Sequence, residues 1–295
     1  MNKGVIYMIL SALAFSIQNV IVKELSYTMG TGEIAFFRGF LSALIILGLM
    51  KWQGIHFSKY DRSSLWFRGV AGGAGMMFLF FAIREVPLAD ISILSQTSAF
   101  FVMLFAAIFL KEALPKGAGL PLIVIFLGAC LIVQPWNFSS FNVYSLFVLA
   151  QAILAAAAYT TVSKLTASGR HHQYEIVFYF LFCAAVGGAA IMGFDFQMPN
   201  AKEWILYVAM AIVTVLAQVW MTDAYASANA VVVSFVAYIA VFFNALWGYV
   251  VFGEVLTLLT VFGGIGIVGG SMYLTKLKHD RLKRRRTQAN STSES

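Results

Sequence analysis

Ten long apolar runs follow one another along this 295-residue chain, with short polar segments between them. About 20 residues of apolar helix are enough to cross the hydrocarbon core of a bilayer. Backbone groups in lipid must form hydrogen bonds within their own segment, so each run is expected to be helical. Charged residues make up only 11% of the chain, which predicts an all-α integral membrane protein. The runs are residues 4–22, 33–50, 64–83, 88–110, 117–135, 143–163, 175–193, 203–222, 228–252 and 257–275.

The apolar runs repeat when the sequence is shifted by 142 residues. In this register Glu33 meets Glu175, and Ser92 meets Ser234. The repeat predicts two copies of five spans each. Because five is odd, the second copy must insert in the opposite sense, which is the inverted repeat of many secondary transporters. The predicted segments are residues 1–136, residues 137–275, and a basic tail, 276–295, that is expected to be disordered.

Positive charge is distributed unevenly over the segments between the runs. With a cytoplasmic N-terminus, 15 of the 20 Lys and Arg residues fall in predicted cytoplasmic segments and three in outer ones. An excess of Lys and Arg marks the cytoplasmic side of a membrane. We therefore expect a multi-pass protein of a bacterial-type inner membrane, with both termini in the cytoplasm. The basic segment 276-KLKHDRLKRRR-286 is then interpreted as a contact with membrane lipids, not with nucleic acid.

Two corresponding stretches resemble a known family. Residues 82–133, which begin AIREVPLADISILSQ, and residues 224–274, which begin AYASANAVVVSF, resemble the EamA-type module of the drug/metabolite transporter superfamily. The stretch 33-EIAFFRGF-40 is similar to the second span of that family, including its arginine. The resemblance implies ten helices and alternating access about a cavity lined by the first four helices of each copy. It also implies export of amino acids or toxic compounds, or import of vitamins and cofactors.

Polar side chains within the spans are the candidate substrate contacts, because each needs a partner inside the bundle or in a water-filled cavity. Gln18 and Asn19 lie in the first span, and Ser92 and Gln96 share one face of the fourth. Hydrogen bonding between helices, without a role in substrate binding, is the alternative for each of them. The predicted substrate-binding set is Gln18, Asn19, Arg38, Ser92, Gln96, Tyr159, Thr160, Tyr238 and Asn244.

Arg38 lies five residues inside the second run, where a charge is costly. Two interpretations stay open. Its side chain either extends to the outer face and pairs with Glu33 or Asp90, or faces the outer vestibule and binds an acceptor group of the substrate. The equivalent residue of the second copy is Phe180, so this position has no general need for a charge. Arg68, near the cytoplasmic end of the third run, is interpreted as an anchor at the membrane interface.

The spans lack the converging His, Asp or Cys side chains of a membrane-embedded enzyme. The sequence has no phosphate-binding loop and no charged ring or filter motif typical of a channel. We therefore expect a secondary or facilitative transporter of a small organic metabolite, without a cofactor or metal site. The resemblance favours riboflavin uptake, with export of amino acids or drug-like compounds as the alternative. The glycine-rich segments 69–75 and 263–270 predict close helix packing, or alternatively a hinge or a homodimer contact.

Overall fold

The computed structural model describes residues 3–98, 100–101, 104–105, 117–134, 136, 142–167, 169–194, 196–227 and 236–293. Within those ranges the chain forms helices, turns and loops and contains no β-strand. The described helices are α1 (Lys3–Leu25), α2 (Thr31–Trp52), α3 (Arg62–Ile83), α4 (Leu88–Ser95), α5 (Gly119–Val133), α6 (Tyr144–Ala167), α7 (Gln173–Met192), α8 (Ala201–Ser227), α9 (Ile239–Phe252) and α10 (Leu258–Ser293).

Seven of the described helices are long and apolar enough to cross a bilayer, namely α1, α2, α3, α6, α7, α8 and the first part of α10. Two more, α5 and α9, are apolar but have only 15 and 14 residues. The predicted runs 88–110 and 228–252 lie partly outside the described residues. The described part of the chain is that of a multi-pass helical membrane protein.

The last helix differs from the sequence-based expectation. The basic segment after residue 275 was predicted to be disordered, whereas α10 continues through it to Ser293. Lys and Arg have high helix propensity, and a helix that is already formed extends without a new nucleation step. For these two reasons α10 extends into the basic segment, which is therefore helical.

The helices pair mainly across the two predicted copies. The most extensive contacts join α2 to α7, α1 to α8, α3 to α6 and α5 to α10. Glycine permits the closest of these approaches: a Cβ atom at Gly39 would lie 2.5 Å from the amide nitrogen of Ala185 on α7. A Cβ at Gly263 would lie 2.7 Å from the carbonyl oxygen of Gly128 on α5. Both contacts are examples of the small-residue packing that brings membrane helices together.

Two buried glutamates connect helix starts to distant loops. Glu33 of α2 accepts hydrogen bonds from the amides of Gly30 (3.2 Å) and Gln197 (2.5 Å). Glu175 of α7 accepts one from the amide of Ser58 (2.8 Å) and contacts a ring nitrogen of His171 at 3.0 Å. Each carboxylate thus binds the loop that precedes a helix of the other predicted copy. Buried charges require such donors, so these glutamates fix how the copies meet.

The glycine contact between α2 and α7 generates a first prediction. Gly39→Ala should lower the free energy of unfolding by about 1–3 kcal/mol, because its methyl group would meet the backbone of α7. Thermal unfolding of the purified protein measures the effect. Gly48→Ala on the same helix is the matched control, since a Cβ there has nothing within 4 Å. An equal midpoint for the two variants would contradict the close packing.

Candidate functional site

One polar cluster lies where α1, α2 and α8 meet. The side-chain oxygen of Gln18 accepts hydrogen bonds from Nε (3.3 Å) and Nη2 (3.1 Å) of Arg38. It also accepts one from the hydroxyl of Thr214 at 2.9 Å. Gln18 and Arg38, both predicted site residues, are therefore in direct contact, and a single amide oxygen accepts hydrogen bonds from three donor atoms on two residues.

The guanidinium of Arg38 is enclosed by apolar and aromatic groups. The residue is 2% exposed, and its Cζ lies 5.6 Å from the ring centres of both Phe80 and Phe180. Its Nη1 contacts the sulfur of Met76. Cation–π contacts and a thioether are weak substitutes for the acceptors that a guanidinium finds in water. Arg38 thus combines full burial with poorly satisfied hydrogen-bond donors.

The structural interpretation proposed for Arg38 is wrong in its choice of partners. Glu33 uses both carboxylate oxygens on backbone amides, and Asp90 forms a hydrogen bond with Thr260. No carboxylate within the described ranges forms an ion pair with Arg38. The side chain does not reach the protein surface either, because Arg38 is buried and its guanidinium points between the helices towards Gln18. The acceptor that binds the guanidinium is the side-chain amide of Gln18 on α1. Distance along the sequence does not identify this partner, because it lies on a different helix.

A second cluster joins α1, α4 and α9. The side-chain amide of Asn19 donates to Oδ1 of Asn244 at 3.0 Å. Nδ2 of Asn244 lies 3.4 Å from Oγ of Ser92 and 2.8 Å from the carbonyl oxygen of Ala240. Asn244 therefore links two other predicted site residues, Asn19 and Ser92, across three helices. Since Gln18 and Asn19 are consecutive residues of α1, the two clusters lie at the same depth of the bundle, and together they are called the polar layer here.

Helix α4 and the segment before α9 are interrupted at equivalent positions. Residues Gln96 and Thr97 form a turn at the end of α4, and Tyr238 forms a turn just before α9. Gln96 and Tyr238 correspond in the 142-residue repeat. The carbonyl oxygen of Gln96 accepts a hydrogen bond from the hydroxyl of Ser271 at 3.2 Å. Discontinuous membrane helices free backbone groups at membrane depth and often line substrate sites.

Tyr159 and Thr160 are placed differently from the other predicted site residues. Tyr159 is 48% exposed, and Thr160 is exposed with its hydroxyl bonded to the carbonyl oxygen of Ala156 at 2.7 Å. Neither residue forms a described hydrogen bond with the two clusters. The structure therefore brings together Gln18, Arg38, Asn19, Ser92 and Asn244, and leaves Tyr159 and Thr160 apart from them.

Several residues of the polar layer were not in the predicted set. Thr214 contacts Gln18, the indole Nε1 of Trp247 donates to Oγ of Ser16 at 3.1 Å, and Ser95 donates to Gln151 at 3.1 Å. Each is a polar residue inside an apolar run, which is the only signal that sequence offers. Such residues are too common in membrane helices to be ranked without knowing which helices are neighbours.

Arg68 does not behave as an interface anchor. It is 5% exposed, and its Nε is buried without a hydrogen-bond partner. Its Cζ lies 4.7 Å from the ring centre of Phe180, and its Nη1 lies beside Gly72, a turn further along α3. An anchoring arginine would extend back towards the nearer end of its helix, where water is available. Arg68 extends in the opposite direction, into the bundle.

The bundle end that contains the α1–α2 and α3–α4 connections is closed by a buried ion pair. Nζ of Lys23 lies 2.5 Å from Oε1 of Glu254 and 3.0 Å from the carbonyl oxygen of Val86. Oε2 of Glu254 accepts from the amide of Leu88 at 2.8 Å. One lysine and one glutamate thus connect the end of α1, the α3–α4 loop and the end of α9. A buried pair persists only when its remaining hydrogen bonds are satisfied, as they are here.

An apolar cavity of about 540 Å³ lies between α3 and α7. Its walls include Trp66, Val70, Met77, Phe182 and Cys183. Cavities that bind polar ligands combine apolar walls with a few converging polar groups, and this one lacks them. Among the described residues there is also no group of three or more His, Cys, Asp or Glu that could hold a metal ion. The polar layer is therefore the stronger candidate for a binding site.

A membrane helix bundle with a buried polar layer, interrupted helices and an unpaired arginine belongs to the class of solute transporters. The EamA-like transporter family model matches the chain twice, at residues 2–134 and 143–276. The chain therefore belongs to the EamA-like transporter family, which confirms the resemblance seen in the sequence. Its relatives are named as transporters and exporters, so this protein is a transporter and not an enzyme.

Individual relatives differ in their named cargo. The chain is 40% identical to the pseudopaline exporter of Pseudomonas aeruginosa strain UCBPP-PA14, over 94% of this chain and 98% of the exporter. It is 27% identical to the riboflavin transporter of Vibrio cholerae, over 97% of both chains. A solved crystal structure with 17% identity superposes with a TM-score of 0.64, covering 95% of this chain and 98% of that one. The last comparison shows that the fold is shared.

The contact between Gln18 and Arg38 generates a second prediction. Gln18→Leu should destabilise the protein by about 1.5–3 kcal/mol, because the buried guanidinium loses its amide acceptor. Combining it with Arg38→Met should recover most of that loss, since the guanidinium that needed the amide oxygen is then absent. Thermal unfolding of both single variants and the double variant measures the coupling. Strictly additive effects would show that the two side chains do not interact.

Proposed function

We propose that this protein exports a small polar organic compound of the pseudopaline type from the cytoplasm by alternating access. The observation that carries the proposal is the polar layer, in which the buried guanidinium of Arg38 has one amide oxygen and a sulfur as its described acceptors. A cargo with an acceptor group satisfies that guanidinium better than these contacts do. Similarity to a named exporter at 40% identity supports the direction of transport.

Riboflavin uptake is the second candidate function. It is supported by relatives named riboflavin transporters, at 27% identity over 97% of this chain in one case. Aromatic rings at the ends of the polar layer, such as Phe180 and Trp247, are suited to stacking on a flat ring system. We rank export first because the named exporter is more similar to this chain in sequence.

We further propose that the pathway is formed by two inverted five-helix repeats, residues 1–136 and 137–275, with ten transmembrane helices. Several observations support this arrangement: the twofold match of the family model, the pairing of α2 with α7 and of α5 with α10, and the interruptions at Gln96 and Tyr238. The charge distribution supports both termini on the cytoplasmic side of the inner membrane. Under this topology the Lys23–Glu254 pair lies at the outer end.

The outer ion pair is proposed as a gate. It closes the outer end around the α3–α4 loop, so the polar layer is separated from the outer solution in this conformation. An exporter must break these bonds to release its cargo. Because Lys23 is 4% exposed, breaking the pair requires either water entry or movement of α1 away from α9.

A third prediction tests the gate. Glu254→Gln should increase labelling of a Ser92→Cys reporter by a membrane-impermeant maleimide added from outside, in a background where Cys130 and Cys183 are replaced by serine. Loss of the carboxylate weakens the closure, so the outward-open population rises. Glu85→Gln is the matched control, because Glu85 is an exposed carboxylate at the same end. Equal labelling in both variants would reject the gate.

A fourth prediction tests cargo and direction together. Everted inner-membrane vesicles with the wild-type protein should accumulate pseudopaline, and Arg38→Gln should reduce the initial rate at least about tenfold through loss of a charge-assisted contact. Mass spectrometry of washed vesicles measures the uptake. Arg84→Gln, which removes an exposed arginine, should leave the rate unchanged.

Riboflavin is measured in parallel with right-side-out cells. Riboflavin entry without pseudopaline accumulation in vesicles would replace export by uptake as the function. Movement of neither compound would reject both candidate cargos.

A further inference from the structure

Two buried arginines share one aromatic ring. The guanidinium carbon of Arg38 lies 5.6 Å from the ring centre of Phe180, and that of Arg68 lies 4.7 Å from the same centre. The two carbons are therefore within about 10 Å of each other, although they come from α2 and α3. Both residues are at least nine-tenths buried. The bundle interior thus holds two positive charges beside one phenylalanine.

These two charges are poorly compensated. Throughout the described ranges, neither arginine forms an ion pair with a carboxylate. Arg38 has the amide oxygen of Gln18 and a sulfur as acceptors, whereas Nε of Arg68 has no partner. Cation–π contacts, with Phe180 for both arginines and also with Phe80 for Arg38, offset only a small part of the cost of burying a guanidinium. Two adjacent cations also repel each other, so the arrangement is one that an anion would stabilise.

The local sequence makes room for this arrangement. Nη1 of Arg68 lies where a side chain at position 72 would be, and the ring of Phe180 lies 2.9 Å from the same point. Only glycine at position 72 allows the guanidinium to lie across α3 against that ring. The packing at Gly72 and Phe180 therefore sets the direction of the Arg68 side chain, which points away from the nearer end of α3.

We infer that Arg38 and Arg68 together bind an organic anion with two carboxylate groups, one at each guanidinium, during transport. The inference rests on the proposed function, because it names the chemical class of the cargo that occupies the polar layer. Guanidinium groups bind carboxylates through two parallel hydrogen bonds, and two carboxylates on a short carbon chain can reach two guanidiniums at this separation. Phe180, which both guanidiniums contact, packs against the apolar part of the cargo.

The test uses a series of small molecules that differ in charge at nearly constant shape. N-acetylglutamate carries two carboxylates, N-acetylglutamine carries one, and N-acetylglutamine amide carries none. Binding to the full-length protein in phosphatidylcholine nanodiscs is measured by titration calorimetry. Each carboxylate removed should weaken binding at least about tenfold in the wild-type protein. Equal binding of all three, or no binding of the dianion at about 10 mM, would overturn the inference.

Two variants assign the effect to Arg68. Arg68→Gln should bind the dianion no better than the monoanion. Gly72→Ala keeps both charges but displaces the guanidinium of Arg68, so it should also reduce the preference for the dianion. Arg62→Gln, which removes an exposed arginine from the first position of the same helix, is the matched control and should retain the full preference. Full preference in both Arg68→Gln and Gly72→Ala would show that Arg68 does not contact the ligand.

Lipid phosphate is an alternative anion, and the same assay distinguishes it. Nanodiscs that contain phosphatidylglycerol should give the same affinities if the site takes a soluble carboxylate. Competition by the anionic lipid, lost in Arg68→Gln, would assign the site to lipid and overturn the inference. Export of pseudopaline by vesicles is measured separately. Normal export with no preference for dianions therefore rejects this inference without rejecting the proposed function.

Discussion

The hydrogen bonds between Arg38 and Gln18 are the interaction on which the interior of this bundle depends. A charge inside a membrane protein must find partners within the protein, because lipid supplies none. The amide oxygen of Gln18 supplies one and brings Thr214 to the same point, so α1, α2 and α8 are held at one depth. The neighbouring Asn19 extends the layer to α4 and α9. The polar contacts thus set the depth and alignment of helices that apolar packing alone would leave free to slide.

Close packing around this layer comes from glycine and from two glutamates. Glycines allow α2 to contact α7 and α5 to contact α10 at backbone distance. The glutamates then fix the connecting loops by accepting hydrogen bonds from backbone amides across the chain. The helix pairs thus meet at backbone distance, and polar contacts such as the Lys23–Glu254 pair connect further elements to them.

Particular residues show which parts of the candidate site could be predicted from the sequence. Gln18, Asn19, Ser92 and Asn244 were predicted as site residues from their polarity within apolar runs. In the structure Gln18 contacts Arg38, and Asn244 contacts both Asn19 and Ser92. Arg38 was recognised as unusual, but its partner was misassigned, because Gln18 lies 20 residues away on another helix, whereas Glu33 is only five residues away. Arg68 was interpreted as an interface anchor, because its direction depends on the space left by Gly72 and on the position of Phe180 on α7.

From the amino-acid sequence it follows that the chain crosses a membrane many times, that two stretches repeat, and that both stretches resemble a transporter family. These properties follow from local hydropathy and from similarity along the chain, which need no knowledge of neighbours. The folded structure is needed to know which helices meet, that Gln18 accepts hydrogen bonds from Arg38 and Thr214, and that two arginines contact one phenylalanine. Each of those depends on distances between residues far apart in sequence. In lipid such pairings are selected by mutual packing and hydrogen bonding, not by the polarity of any single residue.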